Sequence, residues 1–406
     1  MHPTQRDLSF LRQGEPPLSP ALLERMTVGR EKWLDYIHDH FLRNFILDDG
    51  CKVKFLIGPE GSGKTHLLRC IEKDARNLGY QTLFIDLSVY ENRLHDIVSL
   101  YRQVAKSIDQ QKILVGLSKE IGSRLAFEKE YDGVGPILPV MVEKGHRTLP
   151  HARGEIKTEC AKIFKESDIC PSFGVFLITI LYDHLTGESN RDSEVYWNWF
   201  RGEKIETIER KETRLHDRLT HATARTWLYS LIHLIHLAGN TGMVLLIDGL
   251  ETLTERDEIT RRHRYNANAI KDTYELIRQL IDATDLLKHL LIIIAGRSII
   301  IERDEPRGLR SYEALWLRIQ SGLIEIDSYN QYADIVMISK LIYELGGEEA
   351  LAERISQSLR QSLRGMGLKP KDIDFIPPLS TDSAIRRQVA QIAELFEHEG
   401  FGNANL

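Results

Sequence analysis

Lys54-Phe-Leu-Ile-Gly58-Pro-Glu-Gly61-Ser-Gly63-Lys64-Thr65-His-Leu-Leu-Arg69 reads as a short apolar run, a glycine-rich turn and the start of a helix. Gly58, Gly63, Lys64 and Thr65 stand in the order G-x-x-x-x-G-K-[ST], which a phosphate cradle requires. Glycines let the backbone bend until successive N–H groups converge on one anion. The helix behind them adds the positive end of its dipole at the same point. Lys64 then reaches the β- and γ-phosphates of a nucleotide, and the Thr65 hydroxyl a Mg²⁺ ion. Gly58, Pro59, Glu60, Gly61, Ser62, Gly63, Lys64, Thr65 and His66 are therefore the candidate nucleotide-binding loop. The bland alternative is a chance glycine turn. The strand pattern before it and the helix pattern after it argue against that.

The second diagnostic stretch is Gly242-Met-Val-Leu-Leu-Ile-Asp248-Gly-Leu-Glu251. An unbroken apolar run ending in aspartate is a buried central strand that delivers a carboxylate to its C-terminal edge. Paired with the upstream loop, Asp248 is the second Mg²⁺ ligand candidate beside Thr65. Tyr80–Asp86 and Leu290–Ser298 read as further strands, and Gly322–Asp327 as a fifth, at one edge. Strand, loop, helix and strand in this order imply a parallel sheet with right-handed crossovers. The expected fold is α/β, a P-loop parallel sheet of about five strands.

Between the second and third of these strands the sheet pattern disappears. Leu94–Ile108, Ile113–Tyr131, Glu155–Glu166, Gly174–Leu185 and Ala222–Leu237 carry helical periodicity, so a large helical insertion is expected over about residues 90–240. Trp197 and Trp199 are expected to anchor it against the core. His233 and His236 lie three apart on one helix, but no third ligand is near in sequence, so packing is the better reading. Residues 1–50 form a helical lead segment in which Trp33, Ile37, Phe41 and Phe45 recur every fourth position. The sheet-bearing core spans 51–328. A C-terminal helical lid spans 329–406, with helices over Asp334–Leu345 and Glu349–Gly365 and a last one capped by Thr381 or Asp382.

The 406 residues suffice for two or three domains, and a net charge of −6 argues against a surface coated for bulk nucleic-acid binding. Cys51, Cys70, Cys160 and Cys170 show neither C-x-x-C nor zinc spacing, which suits free thiols in a reducing cytoplasm. The longest apolar run, Phe173–Tyr182, has about half the length a bilayer span needs, so a cytoplasmic protein with no membrane contact is expected.

Four places in order resemble the BREX-associated ATP-binding proteins, P-loop ATPases of the AAA+ type found in bacterial anti-phage defence. They are Phe55 through Thr65, Leu94-His-Asp-Ile-Val-Ser-Leu-Tyr101-Arg102, Ala238 through Glu251, and Ala295-Gly through Arg310-Ser-Tyr312-Glu-Ala-Leu-Trp-Leu-Arg318. The Arg-Ser-Tyr-Glu-Ala-Leu run and Trp197–Gly202 point to that narrower group. The resemblance implies ATP with Mg²⁺, assembly into a homo-oligomer, and work beside a helicase or other DNA-acting partner. It also places the turn Val28-Gly29-Arg30 against the nucleotide base. The sequence departs from the pattern at Gly249, where relatives usually carry the glutamate that polarises the attacking water.

Glu251 is the substitute candidate, since a helical turn after the strand would return it to the face of Asp248. Arg297 is placed to act within its own subunit, alongside Lys64, Asp248 and Glu251 as the catalytic set. Arg303, Arg307 and Arg310 are candidates for reaching a neighbour's nucleotide, against the alternative of surface pairing with Asp304 and Glu305. Arg261, Arg262 and Arg264 are candidates for contact with duplex DNA, against that of a solvated turn balanced by Glu255, Asp257 and Glu258. Two functions follow from different classes: an ATPase that remodels or loads a partner on DNA, and an ATP-gated switch or scaffold with slow turnover or none. A small-molecule kinase fits poorly, because of the helical insertion and the C-terminal helices.

Overall fold

The computed structural model describes residues 5–89, 92, 94–188, 193–257, 259–320, 333–370, 376 and 380–397. Its centre is a five-stranded parallel sheet, made of β1 (Cys51–Gly58), β2 (Gln81–Asp86), β3 (Met243–Asp248), β4 (Leu290–Arg297) and β5 (Ala333–Met337). The order across the sheet is β2-β3-β4-β1-β5. Its three central strands are buried along nearly all their length; β3 and β4 are continuous apolar runs, while β1 also buries Lys52 and Lys54. β2, at the edge, is only half-buried. In register, Asp86 lies beside Asp248, and Gly58 beside Arg297. Polar residues of three adjacent strands, and the glycine loop that leaves a fourth, therefore meet on one rim.

The fifth strand corrects the sequence reading. Gly322–Asp327 lies outside the described residues, and the strand that pairs with β1 is Ala333–Met337. The helix expected over Asp334–Leu345 is consequently shorter, Ile338–Glu344. The sheet thus extends past the core boundary expected at residue 328. The last helix, Ala384–Leu395, is capped by Ser383 instead of Thr381 or Asp382. Ser383 Oγ accepts from Arg386 N at 3.3 Å and donates to Glu348 at 2.9 Å, so a tertiary contact selects the cap.

One sheet face is covered by the helical insertion, the other by the lead segment, the helix Lys64–Asn77 and the C-terminal helices. The insertion includes the helices Ile97–Ser107, Gln110–Arg124, Leu149–Lys165, Pro171–Thr186 and His221–Leu237, with shorter ones at Leu138–Glu143, Ser193–Phe200 and Thr207–Thr213. Its centre is aromatic. Trp227 lies 4.4 Å from Trp199 and 5.4 Å from Phe173, centroid to centroid, and Trp197 packs on Phe176 at 5.1 Å. His236 stacks on His289 at 3.7 Å, and among the described residues no group of His, Cys, Asp and Glu is arranged to hold a metal.

In the lead segment the helix Glu31–Tyr36 widens into a π-helix over Ile37–Phe45, a rare form in which the hydrogen bonds reach one residue further. Trp33, Ile37 and Phe41 are buried along it, and Lys54 Nζ lies 4.2 Å over the Phe41 ring. The helix Gln5–Arg12 packs on the last helix, joined by an Arg12–Glu394 ion pair of 2.8 Å. No helix among the described residues is long and apolar enough to cross a membrane.

Candidate functional site

The polar rim opens into a cavity of about 810 Å³, bounded by the glycine loop, the ends of β2, β3 and β4, the lead segment and the last helix. Its polar end holds Lys64, Thr65, Asp86, Asp248, Glu251 and Arg297; its apolar end holds Leu23, Met26, Val28, Ile355, Ile385 and Val389.

The loop's backbone is shaped by its glycines. Gly63 has φ +85°, and a Cβ there would lie 2.2 Å from Arg30 Nη1. Only glycine accepts both conditions without movement. Gly63 also leaves the helix Lys64–Asn77 without a side-chain cap, so its first N–H groups are not claimed by the helix's own cap. Ser62 Oγ is buried and has no hydrogen-bond partner among the described residues. An uncapped helix start beside an orphaned buried hydroxyl and a buried lysine is a donor set that fits phosphate. Lys64 Nζ meanwhile donates to the loop's own carbonyls, Gly58 O at 3.1 Å and Pro59 O at 2.8 Å. Burial lowers its pKa, against the attraction of Glu251 and Asp248.

Thr65 Oγ1 donates to Asp248 Oδ2 at 2.6 Å, and Gly249 N to Asp248 Oδ1 at 2.9 Å. A hydroxyl and a carboxylate joined over 183 residues of sequence make an oxygen pair of the kind that holds Mg²⁺. Burial raises the Asp248 pKa, with Thr65, Gly249 and Lys64 opposing. After Asp248 the chain turns at Gly249 (φ +80°) into a short 3₁₀ helix, Leu250–Leu253, which brings Glu251 into the cavity. Burial raises the Glu251 pKa too, opposed by hydrogen bonds and Lys64. Its Oε2 accepts from Arg297 N at 3.0 Å.

Arg297 faces three carboxylates. It donates to Glu60 at 2.7 Å and to Glu255, and its Nε lies 3.6 Å from Glu251. Burial opposes its charge, yet Glu255, Glu251 and Glu60 outweigh that and raise its pKa. His66 is held neutral, its pKa lowered by burial to about 3. Thr27 Oγ1 donates to Leu23 O, so it accepts from His66 Nε2 at 2.8 Å.

Three participants escaped the sequence reading, and a fourth, Arg30, was expected at the base but holds the glycine loop. Arg30, buried with its pKa lowered by desolvation to about 10, donates to Ser62 O and, at 3.3 Å, to Gly63 O, pinning the loop from below. Arg386 reaches from the last helix to Glu60 at 2.8 Å and to Glu15 at 3.4 Å. Glu15 lines the cavity with a pKa raised by burial, and Asp86 stands beside Asp248. None has a local motif; only the turn Val28-Gly29-Arg30 drew notice in sequence.

The remaining candidates lie elsewhere. Arg307 donates to Tyr265 O at 2.8 Å, and Arg310 donates to Ile301 O at 2.6 Å beneath the Trp316 ring. Arg303 is exposed and forms no ion pair among the described residues. Arg261, Arg262 and Arg264 are exposed on a hairpin outside the cavity.

A parallel sheet of this order, with a glycine loop leaving its β1 and a carboxylate at the end of β3, one strand beyond β4, is a P-loop ATPase-like fold. The family model for the BREX system ATP-binding protein BrxC/D matches residues 8–344, and the chain belongs to that family. It is accordingly an ATP-binding component of anti-phage defence. No curated protein and no solved structure matches it.

Proposed function

We propose that the chain is an AAA+-type ATPase that binds Mg²⁺-ATP in the rim cavity and hydrolyses it slowly, working as an oligomer beside a DNA-acting partner. The observation that carries the reading is the Thr65–Asp248 contact with Glu251 in the same cavity. In this reading the glycine loop and Lys64 hold the phosphates, and Thr65 and Asp248 hold Mg²⁺. Val28 and its apolar neighbours face the base. Bound Mg²⁺ would supply charge neutralisation of the phosphates. Glu251 orients water, with a raised pKa that suits a base. Arg386 and Arg297, both tied to Glu60, read the loop from two sides. The lid of residues 329–406 then acts by carrying Arg386, and the lead segment 1–50 by carrying Val28 and Arg30. Arg303 is the exposed arginine of its loop, with neither an ion pair nor a hydrogen bond from its side chain among the described residues, and is thus available to a neighbour's nucleotide.

A second reading, an ATP-gated switch, has its own support. Gly249 stands in the usual catalytic position, and Glu251 is already engaged by Arg297. Binding of a fluorescent ATP analogue, followed by turnover at saturating ATP, tests both. Binding that survives Lys64→Ala unchanged would overturn the site. Binding without turnover under any condition would leave the switch.

A further inference from the structure

Between Leu250–Leu253 and the helix Ala267–Asp282 the chain makes a small antiparallel hairpin. Arg256 bridges His263, Asp257 N donates to Arg262 O at 2.8 Å, and His263 Nδ1 donates to Thr254 O at 3.2 Å. Asp257 spends its carboxylate on the turn itself, accepting from Thr260 N at 2.7 Å and Ile259 N at 3.2 Å. Glu255, at the base, is held by Arg297. That leaves Arg256, Arg261 and Arg262 exposed, with no ion pair to any of them among the described residues, while Arg264, also exposed, donates to Ser88 O at 3.5 Å and Glu258 lies outside the described residues. At the tip Ile259 is 92% exposed. A protein of net charge −6 has gathered exposed arginines on one internally braced arm.

We propose that this hairpin binds duplex DNA through its phosphates, and that Glu255 and Arg297 carry the contact to Glu251. Exposed guanidinium groups match phosphate geometry. The B-form major groove admits a two-stranded ribbon, whereas the A-form groove of duplex RNA is too narrow for one, so DNA is the fitting partner. The relay is built into the base of the arm. One guanidinium, Arg297, joins Glu255 of the hairpin to Glu251 and to Glu60 of the glycine loop. Strain on the hairpin shifts Glu255, and Arg297 redistributes between the two cavity carboxylates. DNA and nucleotide are then linked, and each alters the affinity of the other by the same factor. This linkage rests on the nucleotide reading above; the DNA contact does not.

The test uses the full chain and a fluorescein-labelled duplex of mixed sequence, followed by anisotropy at several salt concentrations, together with titration of a fluorescent ATP analogue. Arg256→Glu/Arg261→Glu/Arg262→Glu should weaken duplex binding about tenfold or more and flatten its salt dependence, since each lost phosphate contact removes about 0.9 from the log–log slope. The same variant should bind the ATP analogue as the parent does, because none of the three lines the cavity. Glu255→Gln should keep the duplex affinity but abolish the effect of duplex on analogue affinity. A parent chain that binds no duplex at low salt, or a triple variant that binds it unchanged, overturns the DNA site. Duplex RNA or polyglutamate bound as tightly through the same arginines overturns the choice of DNA. Coupling that persists in Glu255→Gln overturns the relay. Duplex binding without nucleotide binding would sink the nucleotide reading and the relay and leave the hairpin site standing.

Discussion

The two faces of the sheet are built on opposite principles. Between residues 97 and 237, the helical insertion buries Ser118, Thr186 and Ser230 but, among the described residues, no charged side chain. The opposite side buries Asp7, Arg30, Lys52, Lys54, Lys64 and Glu72, all within the first 72 residues. Burying a charge costs free energy unless it is paired. The insertion core therefore rests on apolar packing, aromatic at its centre, while the lead segment and glycine loop accept desolvated charges and π-helical backbone. Local cost concentrated beside a cavity is what a binding site requires. The comparison predicts that substitutions on the two sides separate stability from function.

The largest separation should come from Glu251→Gln, with hydrolysis falling by about 10²–10⁴ if Glu251 is the base. ATP-analogue binding and melting temperature should hardly move. Turnover equal to the parent's would pass the role to another group. Trp227→Ala is its counterpart in the insertion. Removing a buried tryptophan packed on Tyr101, Phe173 and Trp199 should cost about 3–5 kcal/mol by denaturant titration. The molecules still folded should bind the analogue normally. Lys64→Ala should weaken ATP binding by about 1.5–3 kcal/mol, the value of a charge-assisted contact. Because it removes a desolvated cation, it should leave stability equal or higher. A clear loss of stability would mean that the loop needs Lys64 to fold.

Smaller effects sharpen the same contrast. Gly249→Glu would restore the usual carboxylate but force a side chain into a left-handed backbone (φ +80°), costing about 1–2 kcal/mol. Steric room exists, since the nearest atom to a Cβ there is 3.4 Å away. Stability should drop by that amount, and turnover should not rise to that of a typical ATPase. His66 gives a pH test. Its folded pKa of about 3 lies below the unfolded value, so its contribution is complete above about 6.5 and is lost as pH falls toward 3. Melting curves should show acid sensitivity that His66→Gln partly removes; His233 and His236, also lowered by burial, should keep the remainder.

Central elements were readable because their signal is local. β3 and β4 are unbroken apolar runs, β1 ends in the short apolar run Phe55-Leu-Ile57, and the glycine loop, Asp248 and Glu251 each announce themselves within a few residues. β5 was not readable. Its Ala-Asp-Ile-Val-Met is a weak strand, chosen by pairing with β1, while Gly322–Asp327 has the stronger alternation. Short helices such as Leu138–Glu143 and Thr207–Thr213 span too few turns to show a period. The widening at Ile37–Phe45 left a trace, because a spacing of four residues suits a helix broader than the α form. Asp86, Glu15 and Arg386 were invisible as site residues for a different reason. Only the closed fold brings them to the rim.

Glu15 and Arg386, which face each other across the cavity, are 371 residues apart in the chain. At a ribosomal rate of about 5–20 residues per second, the lead segment waits roughly 20–75 s for the helix it packs against. Throughout that interval Leu8 and Leu11, fully buried at the end, have no final partner on the last helix. The nascent chain therefore cannot complete its cavity until the helix Ala384–Leu395 has been made.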